Sequence, residues 1–230
     1  MILGVVIGNT NIRVGYMNYF HSYKNKNHDF LDIRHLKPKK IFLASVVPDL
    51  TEQVFQALMK IFDIKPNIIC KEDIPINLEK YDKKNIGIDR ILSCYGAYDI
   101  PTAYAIFDLG TAISISIVNS KKEFLGGAIM PGIELGLSAL GNGTALLPVL
   151  PKVDMLNKVI GSDTKSCLSS GAIYGTLSMV EGMAKRIEKE LEESLKVIVT
   201  GGFQSYIPWV DCDIDVLLRP NIVIEGLLKI

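Results

Sequence analysis

One carboxylate stands at the end of a predicted buried strand, directly before a turn of small residues. Asp108 follows the apolar residues 104–107 and precedes Gly110 and Thr111. Gly110 lets the backbone approach a phosphate closely, and Thr111 offers it a hydroxyl group. A buried carboxylate without a task is costly, and Asp108 can take the proton of an attacking alcohol. The pattern predicts a phosphate turn with a base beside it, and a carboxylate that only caps the turn is the alternative.

A matching turn lies near the start of the chain. Gly8, Asn9 and Thr10 follow another apolar strand pattern. Residues 5–12 superpose without gaps on residues 107–114, which indicates an internal repeat of a strand, a glycine turn and a strand. Two such turns across a cleft can both donate backbone N–H groups to one nucleotide. Two unrelated hairpins are the alternative.

A pair of glycines ends a third strand pattern. Thr200, Gly201 and Gly202 follow the apolar residues 197–199. Paired glycines at a strand end let a flat ring or a ribose lie against the main chain. Alone this signal is weak, because a plain turn has the same sequence. It supports a nucleotide site only together with the two phosphate turns.

A helix pattern opens with Gly87, Asp89 and Arg90. The guanidinium group of Arg90 is a planar fork that fits a carboxylate or a phosphate. Asp89 suits the positive end of the helix dipole and can orient that fork. We interpret these residues as a binding site for an acidic substrate, and a surface ion pair is the alternative.

A long helix pattern at residues 166–193 carries small residues on one face. Gly171, Gly175, Ser178 and Gly182 continue a spacing of about four residues. Because glycine costs a helix roughly 1 kcal/mol relative to alanine, such a face indicates close packing against a helix or a ligand. Packing against another helix, across a dimer, is the favoured interpretation.

Hydrophobic periodicity predicts the elements that position these groups. Asp49 is expected to cap the helix that follows it. The lobes of this α/β protein are expected to divide near residue 100, giving an N-terminal lobe of residues 1–100 and a C-terminal lobe of residues 101–230. Strands are predicted at residues 2–7, 12–16, 41–47, 67–70, 104–107, 113–118, 124–129 and 196–200, and helices at residues 50–62, 88–98, 166–193 and 220–228.

Composition excludes several classes of partner. Lys and Arg together number 25, as do Asp and Glu, so the net charge is zero and no basic stripe is available for nucleic acid. The apolar start lacks a basic flank and is soon interrupted by polar residues, so we expect neither a signal peptide nor a membrane span. We expect a cytoplasmic location. His21, His28 and His35 lack the spacing of helical metal ligands. Small molecules or proteins are the expected partners.

Taken together and in this order, the motifs resemble those of the type III pantothenate kinases, which belong to the actin-like, sugar-kinase superfamily. The resemblance implies a duplicated, two-lobed ribonuclease H-like fold with mixed sheets flanked by helices. It also implies synthesis of 4′-phosphopantothenate from pantothenate and ATP, the first step of coenzyme A biosynthesis, with Mg²⁺ and a monovalent cation, K⁺ or NH₄⁺, in a homodimer. The motifs are Gly8 to Thr10, Gly87 to Arg90, Asp108 to Ala112, Leu125 to Ile129 with Pro131 and Gly132, Ile160 and Gly161 with Thr164, Ser170 and Gly171, and Thr200 to Gly202.

The resemblance also implies a role for each site residue. Asp108 would be the base on the pantothenate hydroxyl group. Arg90, with Gly87 and Asp89, would bind pantothenate, and Thr164 would reach it from the partner subunit. The nucleotide residues fall into a phosphate group, Gly8, Asn9, Thr10, Gly110 and Thr111, and an adenosine group, Thr200, Gly201 and Gly202.

Two positions depart from the family pattern. An aspartate usually stands two residues before the first glycine of the first motif, where this chain has Val6, and the repeat places Val6 opposite Asp108. A further carboxylate, usual after the second motif, is Ser116 here. Losing one preorganised charge of this kind typically costs about 10² to 10³ in rate. Asn9 and Thr10 still offer oxygen atoms to water-bound Mg²⁺.

Two hypotheses follow from these departures. The first is an active pantothenate kinase whose metal ligands are not assigned. The second is a kinase-shaped protein that binds nucleotide or pantothenate without turnover, in a regulatory or accessory role. A dinucleotide oxidoreductase fits poorly, because no G-x-G-x-x-G motif follows the first strand.

Overall fold

The structure is a computed structural model that describes residues 1–25, 30–150, 153 and 158–230. Its first sheet is mixed. β1 pairs antiparallel with the second strand along the chain and parallel with the fourth. The strands are β1 (Ile2–Ile7), β2 (Asn11–Tyr16), β3 (Tyr19–Lys24), β4 (Lys40–Ser45) and β5 (Asn67–Ile68), in the order β3-β2-β1-β4-β5.

The second sheet repeats this arrangement. β6 pairs antiparallel with the strand that follows it and parallel with β9, as β1 does with β2 and β4. The strand order is therefore the same in both sheets, which confirms the internal duplication and the mixed α/β fold class. The strands are β6 (Ala103–Leu109), β7 (Ala112–Val118), β8 (Phe124–Pro131), β9 (Leu195–Thr200) and β10 (Val216–Leu218), in the order β8-β7-β6-β9-β10.

The two glycine turns differ in length. Ile7 pairs with Ile12 in the first sheet, whereas Leu109 pairs with Ile113 in the second. The first turn is thus one residue longer, and the gap-free alignment is wrong beyond the turns. A one-residue slip would move every apolar side chain of the second strand to the opposite face, so burial fixes the register. The alignment of Val6 with Asp108, before the turns, is unaffected.

Five α-helices in the described part of the chain flank the sheets. The first buries Val54 and Leu58 against β1 and its neighbours. Its N-cap is Val47, without a side-chain cap, because Pro48 occupies the first helical position; the predicted cap at Asp49 is wrong, and Asp49 lies in the first turn. The helices are α1 (Pro48–Phe62), α2 (Ile88–Ala97), α3 (Ile133–Gly143), α4 (Thr164–Leu191) and α5 (Ile222–Leu228).

The long helix α4 closes the core of the second sheet. Leu177, Val180, Ala184 and Ile187 are buried there, as the periodicity predicts. The helix begins two residues before the predicted start because Asp163 caps it, accepting a hydrogen bond from the backbone N–H of Ser166 at 2.9 Å. Gly171, Gly175 and Ser178 of its small-residue face are exposed, on the side away from this core.

The chain forms two compact units. The C-terminal helix α5 belongs to the first, although the sequence-based division places it in the second lobe. Its end is tied there by Lys229, whose Nζ donates to Gly96 O at 2.9 Å and to Asp99 Oδ1 at 2.7 Å. The division near residue 100 otherwise stays a proposal about domains. The first unit is Met1–Asp99, Lys122–Phe124 and Asn221–Ile230, and the second is Ile100–Lys121 and Leu125–Pro220.

Candidate active site

Asp108 lies in a row of oxygen-bearing side chains at the end of the second sheet. Its register partners are Ser114 on β7 and Thr200 on β9. Paired residues of neighbouring strands project to the same face. We call Asp108, Ser114 and Thr200 the Asp108 row. Oδ1 of Asp108 is buried, and Thr200 is also buried.

Gly201, the first glycine of the pair predicted for the nucleotide, lies directly against Asp108. Gly201 has a φ of 94°, and a Cβ atom added to it would lie 2.6 Å from Asp108 Oδ1 and 2.5 Å from Leu109 C. Only glycine fits both this backbone conformation and this space. Gly202, by contrast, has no heavy atom within 4 Å of its Cβ position and is exposed. The second unit thus brings together Thr200, Gly201 and Asp108.

The carbonyl groups of the second turn face one side. Gly132 donates its backbone N–H to Thr111 O at 3.1 Å, and a Cβ atom at Gly132 would lie 2.3 Å from Gly110 O. In a trans peptide the C=O and the following N–H point in opposite directions. The N–H groups of Thr111 and Ala112 therefore point away from Gly132, in the orientation that an anion requires.

Asn25 holds the first turn in the same way. Its side-chain amide donates to Gly8 O at 2.7 Å and to Asn9 O at 2.8 Å, and its backbone N–H donates to Thr10 O at 3.1 Å. By the same peptide geometry, the N–H groups of Asn9, Thr10 and Asn11 point away from Asn25. Sequence reasoning missed Asn25, which follows β3 in a polar stretch without any motif.

The first sheet lacks the acidic row of the second. At the position of Asp108 it has Val6, 1% exposed, whose register partners are Arg13 on β2 and Ala44 on β4. We call Val6, Arg13 and Ala44 the Val6 row. Arg13 is half-buried. The row offers no carboxylate, and its one charge is positive. Ser116, the other departure from the family pattern, is buried on β7 opposite Ile106.

The predicted substrate residues begin α2. Gly87 is its N-cap, and Asp89 Oδ1 accepts a hydrogen bond from the backbone N–H of Arg90 at 3.0 Å. The guanidinium carbon of Arg90 lies 5.2 Å from the centroid of the Phe124 ring and 5.9 Å from that of Tyr81. Cation–π contacts of this kind hold the fork in place. Sequence reasoning missed both aromatic residues, because they come from distant segments.

A cleft of about 860 Å³ opens beside these residues in the first unit. Gly87 lines it, together with residues at the ends of β4 and β5. Lys71, on the same wall, donates from Nζ to the carbonyl groups of Lys83 and Lys84, both at 3.1 Å. The volume is within the range of sites for small ligands.

Thr164 lies in the second unit, in the exposed first turn of α4. Hydrogen bonds from Ser166 lower the pKa of the capping carboxyl group of Asp163 below its usual value. An apolar groove of about 640 Å³ runs between α3 and α4, and Gly171 and Gly175 line it with no heavy atom near their Cβ positions. Gly182 differs, since Arg186 of the same helix donates to its carbonyl oxygen at 2.8 Å.

The described part of the chain contains no cluster of three or more His, Cys, Asp or Glu side chains arranged to hold a metal ion. Within that same part, none of the helices combines the length and the apolar character needed to cross a membrane.

Comparison with known proteins decides the family. Residues 2–186 match the profile of a family described as type III pantothenate kinase. This chain belongs to the type III pantothenate kinase family. A type III pantothenate kinase from Persephonella marina is 34% identical over 251 aligned positions, which cover 100% of this chain and 98% of the relative. One from Sulfurihydrogenibium sp. is 32% identical, covering 88% of each chain, and one from Thermus thermophilus is 33% identical, covering 84% and 77%.

Solved structures were also compared. A glucokinase from an Antarctic psychrotroph has a TM-score of 0.47 at 12% identity, covering 99% of this chain and 97% of its own. An inorganic polyphosphate/ATP-glucomannokinase from Arthrobacter sp. has a TM-score of 0.46 at 10% identity, covering 99% and 96%. The resemblance stated from the motifs is thus confirmed by the family match, which does not depend on these structures.

Proposed function

We propose that this member of the type III pantothenate kinase family transfers the γ-phosphoryl group of ATP to the hydroxyl group of pantothenate. The products are ADP and 4′-phosphopantothenate, and the reaction is the first step of coenzyme A biosynthesis. The observation that carries the proposal is the relative from Persephonella marina, named a type III pantothenate kinase, which aligns over nearly its full length and all of this chain.

The two glycine turns bind the phosphates of ATP in this proposal. Each turn has its carbonyl groups held from one side, by Asn25 in the first unit and by Gly132 in the second. The opposed N–H groups near Gly8, Asn9 and Thr10, and near Gly110 and Thr111, are then available to phosphate oxygens. Thr200, Gly201 and Gly202 line the adenosine site, where the open surface at Gly202 admits a flat group.

Arg90 binds the carboxylate of pantothenate. A guanidinium group meets a carboxylate with two parallel hydrogen bonds, and Phe124 and Tyr81 restrict the directions in which the Arg90 fork can point. Gly87, on the wall of the cleft in the first unit, leaves room for the rest of the substrate. We propose that Thr164 completes this site from the partner subunit of a homodimer, which the open groove along α4 suits.

Asp108 is our assignment for the proton acceptor. The pantothenate oxygen attacks the γ-phosphorus, its proton passes to the Asp108 carboxylate, and the bond from that phosphorus to the ADP oxygen breaks. The position of Asp108 beside Gly201 and before the phosphate turn supports this role. Asp89 is the second candidate, because it is adjacent to Arg90 and therefore to the proposed acceptor site.

The proposed reaction also uses Mg²⁺ and a monovalent cation. Mg²⁺ and K⁺ prefer oxygen ligands, and when bound they supply positive charge against the phosphates. The Asp108 row provides a carboxylate and two hydroxyl groups, which fit that chemistry. The Val6 row does not fit it, because it contains no oxygen-bearing side chain. We therefore assign no metal ligand in the Val6 row.

A protein that binds without turnover is the second candidate function. Val6 and Ser116 favour it, because both stand where the family pattern has a carboxylate and both are buried. Such a protein would bind ATP or pantothenate through the same residues and would serve a regulatory or accessory role.

Release of ADP separates the two candidates. Purified protein is incubated with ATP, Mg²⁺ and K⁺, with and without pantothenate, and ADP is followed continuously. The kinase is expected to release ADP only when pantothenate is present. An absence of pantothenate-dependent release, together with calorimetric binding of ATP or pantothenate, would favour the accessory function.

A further inference from the structure

The Val6 row places a positive charge where the second sheet has a negative one. Val6 is in register with Arg13, just as Asp108 is in register with Ser114. Val6 and Arg13 lie two residues along from Gly4 and Gly15, which are also paired, and so they share the face on which α5 packs. Val6 and Arg13 are two residues closer to the Gly8 turn than Gly4 and Gly15, which contact α5.

Arg13 is half-buried, and its side chain forms no hydrogen bond or ion pair with any other residue that the structure describes. A charged group withdrawn from water is costly unless it meets an opposite charge. The residues paired with it on the neighbouring strands, Val6 on β1 and Ser22 on β3, carry no negative charge. Among the described residues nothing balances this guanidinium group, and an anionic ligand would do so.

The adjacent turn selects the same kind of ligand. Asn25 binds the carbonyl oxygens of Gly8, Asn9 and Thr10, so the intervening N–H groups point the other way. Successive N–H groups in a turn form a concavity that attracts anions, and a guanidinium group gives phosphate two parallel hydrogen bonds. The turn and Arg13 lie at the same end of the β1–β2 pair, and both favour an anion.

We propose that Arg13 binds the polyphosphate chain of the nucleotide and supplies at the first turn the positive charge that Val6 cannot recruit as a metal ion. This inference rests on the proposed function, since it assigns a further binding residue within that site. It has a consequence that the carboxylate pattern of the family would not have: the chain binds polyphosphate without a divalent cation, and this binding depends on Arg13.

The test is calorimetric titration of ATP, and separately of sodium triphosphate, in EDTA. Arg13→Gln is expected to weaken both affinities by about tenfold or more, as expected when a charge-assisted hydrogen bond is lost. Arg13→Lys keeps the charge without the planar fork, and its affinities are expected to lie between those of wild type and those of Arg13→Gln. Arg34→Gln is the matched control, because it removes an equal charge from an exposed position of the same unit and is expected to leave both affinities unchanged.

Thermal unfolding of each variant establishes that it is folded before it is titrated. Affinities of Arg13→Gln within twofold of wild type would overturn the assignment of Arg13 while leaving the proposed kinase intact. Equal losses in Arg13→Gln and Arg34→Gln would also overturn it, since they would show only an effect of net charge. A wild-type protein that binds neither ATP nor triphosphate, with or without Mg²⁺, would instead contradict the proposed function itself, and the inference with it.

Discussion

At the scale of single residues, the assignment of the proton acceptor rests on which of two carboxylates meets the acceptor alcohol. Asp108 lies against Gly201 beside the phosphate turn, whereas Asp89 lies in the first turn of α2 beside Arg90. The two are in different compact units. Their replacement is therefore expected to have separable effects.

Asp108→Asn is expected to lower turnover by about 10²- to 10⁴-fold, because the amide cannot accept the proton. Binding of pantothenate, measured by calorimetry, should change little. Asp89→Asn is the paired comparison and should act mainly on pantothenate binding. Unchanged turnover in Asp108→Asn, with loss of turnover but not of binding in Asp89→Asn, would move the role of base to Asp89.

Val6→Asp restores the family pattern at one position, and we expect it not to raise turnover. The new carboxylate would face Arg13 across the strand pair, form an ion pair with it and withdraw its charge from the nucleotide. The affinity for ATP in EDTA should fall. One preorganised charge can raise turnover by about tenfold or more. A rise of that size would show instead that valine at position 6 impairs turnover.

Several residues of the site could be predicted from sequence and others could not. Gly8, Gly110 and Gly201 are conspicuous because each follows a strand pattern. No sequence motif marks Asn25, Phe124 or Arg13. The roles that we propose for them depend on strand register and on contacts between distant segments. Arg13 becomes interpretable only when the pairing with Val6 is known.

At the scale of elements, the end of β9 closely approaches the end of β6, on the side where we propose that the second unit binds the nucleotide. Gly201 makes this approach possible, with its φ of 94° and its Cβ position 2.5 Å from Leu109 C. Gly202, the next residue, has open space around its Cβ position. The pair offers a matched test.

Gly201→Ala is expected to destabilise the protein by about 1–3 kcal/mol, because alanine is strained at this φ and its methyl group would displace Asp108 or the Leu109 peptide. Turnover should fall as well. Gly202→Ala is the control and should change the free energy of unfolding by less than about 0.5 kcal/mol. Denaturant unfolding measures both. Equal stabilities of the two variants would contradict the packing described here.

The sequence pattern predicted most elements, and it failed where tertiary context decides. The positions of most strands and the buried faces of the helices follow from apolar periodicity, as α4 shows with Leu177, Val180 and Ile187. The length difference between the two glycine turns is invisible to periodicity, because both turns are polar and short. The cap of α1 was missed for a local reason, since Pro48 displaces Asp49 from the capping position.

At the scale of the whole molecule, α5 returns the chain to the first unit after the second is complete. No local pattern predicts this, because a helix periodicity does not specify which sheet it covers. The pairing of Asn77 with Lys122 and Phe124 similarly ties the beginning of β8 to the first unit. Through it, Phe124 reaches Arg90.

The proposed homodimer makes a prediction about mixed subunits. Arg90→Ala and Thr164→Ala should each abolish turnover at low pantothenate, since each removes a proposed substrate contact. If Thr164 acts across the interface, mixed dimers contain one intact site, and an exchanged equimolar mixture should recover about a quarter of the wild-type rate. An inactive mixture, with subunit exchange demonstrated by mass, would place Thr164 in the site of its own chain.

Transfer of a phosphoryl group to pantothenate by this chain is tested most directly by mass spectrometry of the product. With ATP, Mg²⁺, K⁺ and pantothenate, wild-type protein should form 4′-phosphopantothenate in equal amount to ADP, and Asp108→Asn should form neither above background. Formation of ADP without phosphopantothenate, or of neither product by wild-type protein that binds both substrates, would contradict it.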